Sequence, residues 1–177
     1  MVFRFLFTLF EPMKNDIIPI IDLFAGPGGL GEGFSALKRN NDPPVFKICL
    51  SIEKEPEAHK TLELRSFFRQ FSAKTVPAEY YMHLRGEISR TQLFKKYPHE
   101  AELASQEAWR ATLGETSSEE VDARIEKSLC GKKTWVLIGG PPCQAYSVIG
   151  RSRRLTLREA ARLQAPPFMD ALNSRTI

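Results

Sequence analysis

An apolar run that ends in a cluster of glycines restricts this chain more than any other feature. Ile17 to Phe24 reads IIPIIDLF, and Gly26, Gly28, Gly29, Gly31 and Gly33 follow at once. A run this short and continuous predicts a strand buried on both faces, as in parallel sheets. Pro19 has no amide hydrogen and counts against a central strand position, although proline is tolerated near a strand start. Leu30, Phe34 and Leu37 then recur at helical spacing, with Asn40 and Asn41 as a stop. Val45 to Ile52 predicts a second strand, closed by Glu53. Pro56 opens a helix that turns Ala58, Leu62 and Phe68 towards the core. The segment from Ile17 to Gln70 therefore predicts strand–loop–helix–strand–helix, the start of a doubly wound α/β sheet.

The middle, residues 72–129, is polar and mostly helical in pattern. Ser117 and Glu120 form a capping box, Val121, Ile125 and Leu129 share one face, and Gly131 ends the helix. Thr134 to Ile138 (TWVLI) predicts a further buried strand, which delivers the chain into GGPPCQAYS. Thr156 and Glu159 form a second capping box ahead of a short helix through Gln164.

Bulk properties exclude several classes. A chain of 177 residues with 42% hydrophobic and 26% charged residues can build one globular core. Cys49, Cys130 and Cys143 are far apart and make no CxxC pair, which argues against a disulfide framework or zinc site and fits a reducing cytoplasm. His59, His83 and His99 are equally scattered, so no metal is expected. The opening MVFRFLFTLF is too short to span a bilayer and lacks a signal-peptide cleavage site. Residues 1–12 read as a non-native extension, with translation starting at Met13. The net charge of +4 suits a polyanion without pointing to one.

Two loops carry chemistry. In Asp22-Leu23-Phe24-Ala25-Gly26-Pro27-Gly28-Gly29 a strand turns into a helix, and the glycines allow positive φ and close approach of a ligand to the backbone. Glu53, at the end of the second strand, is placed to accept hydrogen bonds from ribose hydroxyls. The pair fits an adenosine-containing cofactor, and the lack of GxGxxG disfavours a dinucleotide. The bland alternative is an ordinary tight turn. In Gly139-Gly140-Pro141-Pro142-Cys143-Gln144-Ala145-Tyr146-Ser147, two prolines fix φ and hold one cysteine just past a strand end. A thiolate there can act as a nucleophile, whereas Cys49, inside a strand, reads as a small buried hydrophobe. Arg151, Arg153, Arg154, Arg158 and Arg162 could touch nucleic-acid phosphates or form a solvated face.

Together these segments resemble the cytosine-5 DNA methyltransferase family. DLFAGPGG is similar to its S-adenosylmethionine loop, GGPPCQAYS to its nucleophile loop, and RLTLREAARLQ (Arg154 to Gln164) to a late structural motif. The resemblance implies a Rossmann-like methyltransferase fold of the restriction–modification type, acting on double-stranded DNA. Cys143 would be the nucleophile. Asp22, Phe24, Gly26, Gly28, Gly29, Glu53 and Pro142 would hold S-adenosylmethionine, and Gln144, Ser147, Arg151 and Arg153 would contact DNA.

The chain also departs from the family. It has no Glu-Asn-Val-like strand end to supply the glutamate that assists at cytosine N3. The short stretch Val148 to Arg153 replaces an arginine motif and the target-reading region. The acidic residue expected after the third strand has no firm counterpart, Glu87 being the one candidate. These gaps predict an internally deleted chain: residues 13–150 a partial catalytic domain with an incomplete sheet, residues 151–177 a remnant of the last motif. Low stability and little methyl transfer are expected. The alternatives are a non-catalytic cofactor- or DNA-binding subunit completed by another chain, and an RNA-directed relative.

Overall fold

The computed structural model describes residues 16–39, 44–72 and 74–140. A four-stranded, wholly parallel sheet is built from β1 (Ile18–Leu23), β2 (Phe46–Ile52), β3 (Ala108–Trp109) and β4 (Val136–Gly139) in the spatial order β3-β2-β1-β4. Among the described residues six helices connect them: α1 (Gly29–Ser35), α2 (Pro56–Arg69), α3 (Ala78–Leu84), α4 (Arg90–Lys96), α5 (Pro98–Glu107) and α6 (Ser118–Leu129). Strand order 3-2-1-4 is that of a doubly wound, Rossmann-like methyltransferase sheet, and it reverses between β1 and β4.

The predicted β1 and β2 are present within a residue or two. Pro19 fits the central strand for a local reason. The Ile18 amide donates to the Val45 carbonyl on the β2 side, so the next residue faces β4, whose pairing begins only at Ile20. Ile21, Leu23, Leu50 and Ile52 form one core with Val121, Ile125 and Leu129 of α6. The Ser117 hydroxyl accepts from the Glu120 amide at the start of that helix, and left-handed Cys130 and Gly131 end it. On the opposite face α1 packs so closely that its Gly31 lies against Asp22 and Ile48.

Two sequence expectations need correction. Helix α1 stops at Ser35, and Leu30 and Leu37 are exposed rather than core residues, because three glycines leave this helix little propensity to extend. In α2 the core positions are Leu62, Ser66 and Phe67, with Ala58 and Phe68 half-buried. The middle is mostly helical, as expected, and also contains β3, which pairs Ser51 with Ala108 and Ile52 with Trp109. Between β2 and β3, helices α2 to α5 enclose a second core of Phe67, Tyr80, Leu93 and Ala104. Among the described residues β4 is an edge of the sheet, and its Val136, Leu137 and Ile138 are half-buried. No helix among these residues is long and apolar enough to cross a membrane.

Candidate functional site

The reversal of strand order leaves a crevice at the carboxyl ends of β1 and β4, where ligands of such sheets bind. The backbone there is strained. Phe24 has φ 56°, Gly26 57° and Gly28 87°. A left-handed conformation costs a bulky side chain about 1–2 kcal/mol, so Phe24 must be held by its surroundings. It is fixed on both sides: β1 ends at Leu23 between two partner strands, and the Ala25 amide donates to the Ile52 carbonyl at 3.0 Å. Gly139 closes the crevice from β4, so near to β1 that a Cβ would stand 2.4 Å from the Leu23 carbonyl oxygen.

Glu53 joins this loop to the end of β2. One carboxylate oxygen accepts from the Gly26 amide and the other from the Glu55 amide, both at 2.7 Å. A carboxylate offers about four lone-pair sites, so the group is fixed and still able to accept from a ligand. Among the described residues there is open space beside Gly26 and Gly29, since a Cβ at either would meet none of their atoms within 4 Å. Gly28 serves packing, because its Cβ would meet Leu62 Cδ1 at 2.9 Å.

Next to Glu53, beyond the ends of β2 and β3, lies a shallow groove of about 590 Å³ lined by Lys54, Trp109, Arg110, Thr112 and Glu120 among others. The Glu53 amide donates to the Trp109 carbonyl at 3.2 Å, so groove and loop share a wall. The Arg124 guanidinium lies over the Trp109 ring, 5.4 Å from its centroid. The set of groups fits an adenosine-type ligand: a fixed carboxylate for hydroxyls, an open glycine backbone and an adjoining groove of suitable size.

Asp22 is placed differently from the other cofactor-site candidates. Only 1% exposed, it points under α1, with its Oδ2 3.3 Å from where a Gly31 Cβ would stand. Neither carboxylate oxygen has a hydrogen-bond donor among the described residues. Burial pushes its pKa up to about 6, against the pull of Arg69 and with a smaller upward push from Glu53. Asp22 therefore underlies the loop rather than lining its open side.

Phe24, Gly26, Gly28, Gly29 and Glu53 are thus brought together at one sheet edge. Pro142, Cys143, Gln144, Ser147, Arg151 and Arg153 lie outside the described residues, as does the Thr156–Glu159 capping box. Glu87 is not at the end of the third strand. It follows α3, is exposed and pairs with Arg85. Sequence reasoning missed Trp109 and Arg110, which a two-residue strand with polar flanks does not announce, and it missed Arg69, discussed below.

Comparison with known proteins finds relatives of one named class. No family model matches the chain, and no solved structure matches it either. The type II methyltransferase M.Bpa9945I of Bacillus paralicheniformis is 36% identical over 151 residues, covering 76% of this chain. The chain is related to type II methyltransferases. Two provisionally named members of that class agree: M.MjaORF1200P of Methanocaldococcus jannaschii (31% identical over 74% of this chain) and M.OihORF3336P of Oceanobacillus iheyensis (27% over 81%). The chain spans 32%, 37% and 22% of the lengths of these three methyltransferases.

Proposed function

We propose that the glycine edge binds S-adenosylmethionine and that the chain carries the cofactor loop and nucleophile of a DNA cytosine-5 methyltransferase of the restriction–modification type. The observation that carries this reading is the strained loop from Phe24 to Gly28, anchored through Gly26 to Glu53 at the switch point of a 3-2-1-4 sheet. Strain of that kind persists where a function needs it. Similarity to type II methyltransferases supports the reaction class, and the GGPPCQAYS loop supports cytosine C5 as the methyl acceptor.

Each residue then has a defined task. Glu53 accepts from the ribose hydroxyls, the backbone at Gly26 and Gly29 lets the ligand approach, and Phe24 lines it. When bound, S-adenosylmethionine supplies an electrophilic methyl group. The Cys143 thiolate adds to C6 of a cytosine flipped out of the duplex, which makes C5 nucleophilic enough to take that methyl. With the methyl taken by C5 and its donor left as the neutral thioether, a base removes the C5 proton, the electrons of that C–H bond re-form the C5–C6 double bond, and the thiolate departs. Pro142 holds the cysteine rigidly, while Gln144, Ser147, Arg151 and Arg153 are the DNA contacts of this scheme. The sparse, unpaired cysteines favour a reducing cytoplasm, and double-stranded DNA is the partner of this scheme.

The missing glutamate motif and the short link from Val148 to Arg153 favour an internally deleted chain that transfers methyl poorly unless a second chain supplies those parts. A non-catalytic cofactor- or DNA-binding subunit is the second reading, favoured by the same gap. Incubation with methyl-labelled S-adenosylmethionine and mixed-sequence DNA, beside a Cys143→Ala control, separates the two. Label at cytosine C5 that requires Cys143 establishes the enzyme, and no label from folded, cofactor-binding protein establishes the subunit.

A further inference from the structure

Helix α1 is poorly equipped to hold its own position. It has seven residues, three of them glycine, and its N-cap Gly28 provides no side-chain hydrogen bond. A helix so short gains little from its own hydrogen bonds and must be fixed by tertiary ties. An ion pair supplies one of these ties. The Glu32 carboxylate of α1 is bonded by Nη1 of Arg69, the last residue of α2. Nη2 of the same guanidinium bonds Glu107, the last residue of α5, which enters β3 directly. Side-chain exposure is 15% for Arg69 and 10% for Glu107, so solvent screens the pair weakly. Arg69 also acts on the buried carboxylate of Asp22 beneath the loop.

We propose that Arg69 is a positioning residue that sets the spacing between the two walls of the site, the glycine loop borne by α1 and the groove at the end of β3. The proposal rests on the reading of that site as a cofactor site. The planar guanidinium fork can bind two carboxylates at a fixed separation, which a lysine cannot do. Glu32 and Glu107 do not meet through any other side chain in the hydrogen-bond network of the described residues. Loss of Arg69 removes the cation hydrogen-bonded to both carboxylates, and Glu107, 10% exposed, is left as a buried charge without it. The loop and the groove would then shift independently, and a ligand that bridges them would lose its fit.

The test uses the full chain and the triple variant Glu32→Leu, Arg69→Met, Glu107→Leu. Apolar replacement of a buried ion triad can leave folding intact. Three quantities are measured: the thermal midpoint, amide hydrogen exchange, and the affinity for S-adenosylhomocysteine. Cooperative unfolding should persist while exchange rises at residues 28–32 and at 109–111 but not in α3 and α4. Affinity should fall about tenfold, the scale of coupling between residues in one network. Arg69→Lys should recover part of the affinity lost in Arg69→Met, which a merely structural loss would not allow. If the triple variant does not fold, Arg69→Lys alone carries the test through the same two segments. Exchange that rises at one segment only, or affinity that is unaltered, overturns the proposal. Loosening of both segments in a chain that never binds S-adenosylhomocysteine overturns the cofactor reading and upholds Arg69 as the link.

Discussion

The layer of helices α2 to α5 and the carboxyl edge of the sheet follow opposite rules. In the helical layer rings pack on rings, and among the described residues no buried side-chain nitrogen or oxygen of α3 to α5 lacks a hydrogen-bond partner. Phe67 meets Phe71, Phe94 and Tyr97 at centroid separations of 5.2, 5.0 and 6.3 Å. Ser89 and Gln92 complete a capping box, Glu79 pairs with Lys96 and Tyr97, and Arg90 pairs with Glu63. At the sheet edge, Phe24 is left-handed, and among the described residues both buried carboxylate oxygens of Asp22 lack hydrogen-bond partners. One region is built for stability, and the other keeps a strained loop where a ligand can reach it, over a buried carboxylate without a hydrogen-bond partner among the described residues. Helix α2 belongs to both, with Phe67 in the ring cluster and Leu62 against the loop.

The largest effect should come from the helical layer. Phe67→Ala removes its central ring and should cost about 3–5 kcal/mol, read as a fall in the denaturation midpoint. At the sheet edge, Gly139→Ala forces a methyl group onto the Leu23 carbonyl and should cost about 3 kcal/mol. Gly86→Ala is the counterpart in the helical layer. That glycine is left-handed at φ 78° with open space around it, so only conformational strain of about 1 kcal/mol is expected. Equal losses at Gly139 and Gly86 in chemical denaturation would erase the contrast.

Asp22 gives the edge a pH signature. Its folded pKa of about 6 lies above the ordinary 3.8, so the folded chain holds this proton more tightly than the unfolded chain. Stability from this group is therefore full below pH 4, falls as pH rises towards 6, and is level above that, a change on the order of 3 kcal/mol. Denaturation from pH 4 to 7 should show that slope in the parent chain and lose it in Asp22→Asn. An unchanged slope would mean that another group titrates. The smallest effect is at the α4 cap, where Ser89→Ala should cost about 1 kcal/mol in the same measurement.

Much of the fold was legible in the sequence. Strands β1 and β2 were readable because buried parallel strands are continuous apolar runs, and α6 because its apolar face is regular. Strand β3 was not, since Ala108-Trp109 is too short to show a period and what fixes it is pairing with β2. The glycine loop and Glu53 were readable as a site from their positions at strand ends. The inward turn of Asp22 was hidden, because a strand buried on both faces gives no alternation to show which way a residue points. Arg69 gave no signal either: its partners lie 37 and 38 residues away, and a lone arginine ending a polar helix looks like any solvated charge.

The central claim is that the strained edge between β1 and β4 is a cofactor site organised by Glu53. Calorimetric titration of the full chain with S-adenosylhomocysteine, beside Glu53→Gln, tests it most directly. Saturable one-to-one binding that Glu53→Gln weakens by about tenfold or more is the expected result, since a charged acceptor becomes a neutral one. Absence of binding by the folded parent chain, or equal affinity in the two proteins, would contradict it.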